Sequence, residues 1–271
     1  MSARLPVRKT YKLYVGGQFP RSESGRSYPV VDTDGNVLAR AAQGSRKDLR
    51  DAVRIARGVQ PGWAAKTAYN RGQVVYRIAE VLEGRRDQFD DEGIDATIDR
   101  LVWYAGWADK ISQVSGSLNP VAGPFWDVTS PEAIGVVGIV APEEHPLLGL
   151  VSRVAPALVA GNALVVLASE ANPLPAIDLA EVLATSDVPD GVVNILTGSK
   201  TELLPWLAGH LDVDAIDVTG VPDDQLEEVE RMAADNVKRI VRPADGDALG
   251  ESPHDVLAFM EHKTVWHPAG T

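Results

Sequence analysis

The sequence predicts an α/β fold: a doubly wound parallel sheet preceded by helices and an extended arm. Three observations lead there. From Ala133 onward, five short apolar runs at residues 134–140, 163–167, 192–196, 215–218 and 237–241 alternate with stretches of helical periodicity. Gly161 stands where the first intervening helix needs an αL cap, and Asn172 with Pro173 opens the next one. Five strands with four helical crossovers make a parallel sheet with helices on both faces, the Rossmann-like layout. At 271 residues the chain is long enough for about two compact domains.

Upstream of the sheet, KLYVGGQFPRSESGRSYPVVDTDGNVLARAA sets short alternating runs between Gly-Gly, Ser-Gly and Asp-Gly turn signals. It reads as an extended, hairpin-rich arm. Ser45 and Asp48 have capping-box spacing, and Leu49, Val53 and Ala56 recur at helical spacing before Pro61, where the first helix is expected to end. A second helix fits Tyr69 to Leu82. A third fits Ala96 to Val114, with Leu101, Tyr104, Ala105 and Ala108 on one face. The expected division is an arm over 1–45, a helical part over 46–130, the parallel-sheet domain over 131–246, and a C-terminal helix and strand over 247–271.

Hydrophobic residues make up 45% and charged residues 24%, which are globular values. The net charge of −12 repels phosphate backbones and anionic lipid headgroups, which argues against nucleic-acid and membrane-surface partners. The opening MSARLPVRKTYKLY is basic without the apolar run of a signal peptide, and no stretch reaches the ~18 apolar residues of a membrane span. A soluble, cytoplasmic protein is expected. The absence of cysteine agrees with that and excludes disulfides.

The Gly-x-Gly-x-x-Gly fingerprint is missing after the first sheet strand, where APEEHPLL stands, so the pattern alone does not claim a dinucleotide. Glu143, Glu144 and His145 at that strand's end are the types that ligate metals or exchange protons. Adjacent loop residues rarely converge on one ion, and a solvated acidic turn is the reading preferred. His262 and His267 flank the last strand on opposite faces, which argues against shared ligation. No metal site is expected.

EAIGVVGIVAPEEHPLLGLVSRVAPALVAGNALVVLASE resembles the cofactor domain of the aldehyde dehydrogenase superfamily, and the likeness continues through PDGVVNILTG, HLDVDAIDVTG and NVKRIV. YAGWADKI and YVGGQF resemble its N-terminal region. The tail GDALGESPHDVLAFMEHKTVWHP resembles its C-terminal helix and oligomerisation strand, here carried by Lys263, Thr264, Val265 and Trp266. By this resemblance a catalytic domain of on the order of 150–200 residues is missing between the two, as in an internal deletion. His210 resembles a structural turn of the family.

What the resemblance implies is a set of losses. The family oxidises aldehydes on a cysteine thiolate, and this chain has none. The oxyanion-binding asparagine is replaced within Glu143–Glu144–His145, and the general-base glutamate falls on Pro243 in the run Pro243, Ala244, Asp245, Gly246. No catalytic residue is expected. Of the cofactor positions, the ribose-binding lysine is Leu167 while Glu170 keeps the acceptor. Gly198 remains in the next loop, but Lys200 and Leu204 take later glycine positions. Thr219 and Gly220 persist between Val218 and Val221. Glu170, Gly198, Thr219 and Gly220 are thus remnant NAD(P)-binding positions, and no tight cofactor is expected, though NAD or NADP remains possible.

Two functions are compatible with this pattern. The first is a noncatalytic subunit that supports or regulates a full-length aldehyde dehydrogenase, docking through an unpaired tail strand and the arm. The second is a residual NAD(P)-binding oxidoreductase or nucleotide sensor that needs a partner chain for activity.

Overall fold

A computed structural model describes residues 7–89 and 93–270. Strands β1 (Thr10–Tyr11), β2 (Ser27–Val31) and β3 (Val37–Ala42) form the arm's sheet in the order β1-β3-β2, as the turn signals predict. Helix α1 (Arg46–Ala64) starts with the capping box: Ser45 accepts from the Asp48 amide while the Asp48 carboxylate accepts from the Ser45 amide. The helix does not end at Pro61. A proline in the last turn removes a single helical hydrogen bond. That turn is held by Trp63, which is 1% exposed and donates its indole N–H to Leu158 O at 3.1 Å.

Helix α2 (Ala68–Glu83) matches expectation, whereas the third splits into α3 (Ile94–Trp107) and α4 (Ile111–Ser115). The turn between them lets both Ala108 and Ile111 reach the core. Strands β4 (Ser117–Asn119) and β5 (Phe125–Ala133) then form an antiparallel pair inside the stretch read as helical.

The parallel sheet comprises β6 (Val136–Val140), β7 (Ala163–Leu167), β8 (Val193–Leu196), β9 (Ala215–Asp217) and β10 (Arg239–Val241), in the order β10-β9-β6-β7-β8. Its crossovers carry α5 (Leu148–Val159), α6 (Leu174–Leu183), α7 (Lys200–Ala208) and α8 (Asp223–Ala234). Val237, expected in the last strand, lies outside it at φ +57° and 92% exposed. The strand begins only after Lys238, whose buried ammonium closes the preceding loop on the carbonyls of His210 and Val213 and is pushed down to about 8 by burial.

One face of the sheet packs against α2, α3, α5 and α6, the other against α1, α7 and α8. Every residue of α5 is buried, which is why LGLVSRVAPALV is apolar nearly all round. Each Leu or Val taken fully from water in these layers contributes roughly 1.5–3 kcal/mol.

After β10 the chain makes a short 3-10 turn (Ala244–Gly246), then α9 (Pro253–Ala258) and β11 (Met260–Pro268). The tail strand is not unpaired, contrary to expectation. It runs antiparallel to β5 over its whole length, from Met260 opposite Ala133 to Pro268 opposite Phe125, giving a third sheet of order β11-β5-β4. Only its outer edge is free among the described residues. Among those residues, no helix is long and apolar enough to cross a membrane.

Candidate functional site at the carboxyl edge of the parallel sheet

Ligands of doubly wound sheets bind beyond the carboxyl ends of the strands. Here Glu170 after β7, Gly198 after β8, and Thr219 with Gly220 after β9 lie together around the loop that follows β6. The loop after β6 supplies the residue that organises them. Glu143 is not a freely solvated acid. Its carboxylate accepts from the Ser169 hydroxyl at 2.6 Å and from the amides of Glu170 and Ala171, both at 3.1 Å, and it pairs with the Lys200 ammonium. Burial pushes the Glu143 carboxyl up, but the ammonium, the hydroxyl and the two amides outweigh it and hold the group below the usual carboxylate range.

Lys200, the first residue of α7, is 3% exposed. Besides Glu143, its ammonium donates to Ala141 O at 2.7 Å and Gly220 O at 3.1 Å, so one cation ties together the segments following β6 and β9. Its own backbone amide donates to the Glu170 carboxylate at 2.8 Å. No side chain caps α7 from Ser199, so Glu170 supplies the negative charge that the helix N-terminus favours. In a dinucleotide-binding sheet that place receives a phosphate. Leu204, by contrast, packs into the core beneath the sheet rather than over its edge.

The glycines are accounted for by packing. A Cβ on Gly220 would lie 2.0 Å from Ala141 O, and Gly198, at φ +135°, would bring one within 2.9 Å of Gly44 N. Gly44 N donates in turn to Thr197 O at 2.7 Å, so this approach fastens the arm to the sheet. Tyr28 from β2 turns its hydroxyl toward this edge, where it is buried beside the Gly198 backbone, and the Thr219 hydroxyl is buried there without a hydrogen-bond partner. Burial first, then the Glu170 carboxylate, raises the Tyr28 pKa.

The other candidates separate from this edge. Glu144 and His145 are exposed in the loop, and His145 sits at φ +50°. His210 accepts from the Asp212 amide at 3.2 Å and lends its carbonyl to Lys238, a structural part in a turn. His262 and His267 are exposed on β11, and no cluster suited to a metal occurs among the described residues. Pro243 leads into the 3-10 turn, while the side chain of Asp245 lies outside the described residues. Lys263, Thr264, Val265 and Trp266 lie together on exposed β11. Sequence reasoning read Lys200 only as bulk and missed its charge pairing. It also missed Arg153, buried between Asp217 and Asp255 at 2.8 Å each, which docks α9 against α5 and β9.

The sequence profile of the aldehyde dehydrogenase family matches residues 19–248. The chain is 32% identical over 287 aligned positions to the mitochondrial benzaldehyde dehydrogenase of Antirrhinum majus, covering 94% of this chain and 53% of that protein. It is 31% identical to the cytosolic 10-formyltetrahydrofolate dehydrogenase of Mus musculus, covering 88% of this chain and 28% of that one. The crystal structure of betaine aldehyde dehydrogenase from Staphylococcus aureus in complex with NAD+ superposes with a TM-score of 0.80 at 25% identity, covering 86% of this chain and 49% of that one. The chain thus spans about half the length, or less, of the relatives it matches.

Proposed function

This chain belongs to the aldehyde dehydrogenase family, and we propose that within it the chain is a noncatalytic subunit that supports or regulates a full-length, NAD(P)-dependent member. The observation that carries the proposal is the self-occupied sheet edge. Glu170 already sits on the first amide of α7, and the Lys200 ammonium is spent on Glu143, Ala141 O and Gly220 O. A pyrophosphate entering there would meet two carboxylates and would have to break these contacts. The residues present therefore do not fit a tightly held dinucleotide. No cysteine exists to form a thiohemiacetal, and Pro243 cannot act as a base. These losses act as a unit, since the contributions of nucleophile, base and oxyanion donor are strongly non-additive and loss of the nucleophile alone removes most of the acceleration.

The isolated chain is expected to show no aldehyde-dependent reduction of NAD or NADP. Turnover that persists through purification to homogeneity would overturn this. Calorimetric titration is expected to give weak or no dinucleotide binding, and a dissociation constant tighter than about 10 μM would favour the second reading, a nucleotide sensor. The unpartnered hydroxyl of Thr219 at the edge is what favours that alternative.

The proposed role further requires a partner. The exposed outer edge of β11, around Lys263 to Trp266, together with the arm, is the surface offered to a full-length family member by strand addition. Co-expression of the two proteins is expected to yield a complex that is lost when residues 261–271 are removed. A complex that survives the truncation would reject this mode of docking.

A further inference from the structure

We propose that the free edge of β11 is occupied by a second copy of this chain, the two strands pairing antiparallel about a two-fold axis through Val265. This goes beyond the proposed function: a family partner would reach the same edge only by displacing the second copy.

The strand is nine residues long, hydrogen-bonded to β5 on one side, and exposed from Glu261 to Pro268. An edge of that length, about 30 Å, presents a continuous row of unpaired amides and carbonyls, a template for another strand. The devices that usually blunt such an edge lie at its ends, apart from Lys263, whose ammonium is drawn to Glu132 of β5 at 3.3 Å. Arg239 closes the start, donating to Met260 O at 2.5 Å and lying 3.6 Å from Glu261, and Pro268 stands at the finish. Between them the edge is open.

Side chains select the occupant and the register. Directly opposed residues of neighbouring strands share a face. Leu118 opposes Val128, and Val128 opposes Val265, so these three form one apolar row across the sheet. They are 60%, 46% and 49% exposed, and Trp126, at 54%, extends the same face beside His267. A two-fold axis at Val265 sets Val265 against Val265 of the second copy and continues the row unbroken into that copy's Val128 and Leu118. It also sets Thr264 against Trp266 and Lys263 against His267, with no acid opposite an acid. Moving the axis to Thr264 breaks the row with Lys263, and moving it to Lys263 opposes two ammoniums. Lys263 is already neutralised within its own chain by Glu132 at 3.3 Å. Self-complementarity of this kind is what an isologous contact demands. A single strand edge buries less than the roughly 1,200 Å² of a standard interface, so the dimer is expected in the micromolar range and exchangeable.

The absence of cysteine makes a clean test possible. In the proposed register the two Val265 positions lie within disulfide reach, whereas the two Glu261 positions lie roughly 27 Å apart. Under mild oxidation Val265→Cys is expected to give a covalent dimer of the full chain, and Glu261→Cys is not. Sedimentation equilibrium should show a monomer–dimer exchange, weakened at least tenfold by Val265→Lys, with an unchanged melting midpoint for this exposed position at concentrations where the wild type is monomeric. A wild-type chain that stays monomeric up to about 100 μM, or equal cross-linking at the two positions, would overturn the proposal. Neither result would touch the noncatalytic reading, which rests on turnover and hetero-complex assays.

Discussion

Replacing Asp255 with alanine is expected to cost about 3–5 kcal/mol of stability, a fall in melting midpoint on the order of 10 °C for a chain of this size. Asp255 is 1% exposed. One of its oxygens accepts from Arg153 at 2.8 Å and from the Ala244 amide at 3.0 Å, and the other accepts from the Tyr104 hydroxyl at 3.1 Å. Arg153 is equally buried, and its Nη2 already lacks a hydrogen-bond partner. Without Asp255 the guanidinium keeps only Asp217, at 2.8 Å, and a buried phenol and a backbone amide lose their acceptor. The penalty comes from what is stranded rather than from the bond itself. Replacing the whole buried cluster, Arg153→Met and Asp217→Asn together with Asp255→Leu, should therefore recover part of the loss, a non-additivity readable by urea denaturation. A single substitution costing under about 1 kcal/mol would show that the cluster does not hold the tail. If it does hold, loosening α9 also loosens the adjoining β11 and the surface it presents.

The parallel sheet was legible because strands buried on both faces must be continuous apolar runs. β6 and β7 are buried at every position, and their sequences VVGIV and ALVVL show it. β5 carries no such signal. In FWDVTSPEA only two of nine positions are buried, charged residues and a proline interrupt it, and its stabilising partner lies far along the chain in β11. A strand that owes its existence to a distant strand cannot announce itself through local periodicity. The expected ending at Pro61 failed for a related reason: the tertiary hold on Trp63 outweighed the local cost of proline.

The candidate site divides along the same line. Glu170, Gly198, Thr219 and Gly220 were found by their order along a recognisable motif, and they do converge at one edge. What the order could not reveal is which groups satisfy which. Glu143 and Lys200 are 57 positions apart, Arg153 and Asp255 are 102, and neither pairing leaves a trace in spacing. Lys200 looked like an obstruction in a phosphate loop. In the fold it is the cation that joins Glu143 to two strand-end carbonyls.

Gly220 sharpens the question of whether a retained motif residue reports a retained ligand. Gly220→Ala is expected to lose about 3 kcal/mol or more with no dinucleotide present. The added Cβ would stand 2.0 Å from the oxygen and 2.3 Å from the carbon of the Ala141 carbonyl, and 2.7 Å from Pro142 N, all of them backbone atoms that cannot swing aside. Gly220 also donates its amide to Val140 O at 2.9 Å and accepts from Lys200 at 3.1 Å, so relief by backbone movement would strain the end of β6 and the Lys200 contact together. The neighbouring Thr219→Ala removes a hydroxyl that has no partner and should change stability by no more than about 0.5 kcal/mol. Melting both variants with and without millimolar NAD separates the two explanations. If Gly220 is kept for packing, it alone lowers the midpoint, and NAD shifts neither variant nor the wild type. If it is kept for a cofactor, the ligand-free melts match the wild type and an NAD-dependent stabilisation of the wild type disappears in the variants. Close approach of two backbones is a sufficient reason for glycine at this position, with or without a ligand at the edge.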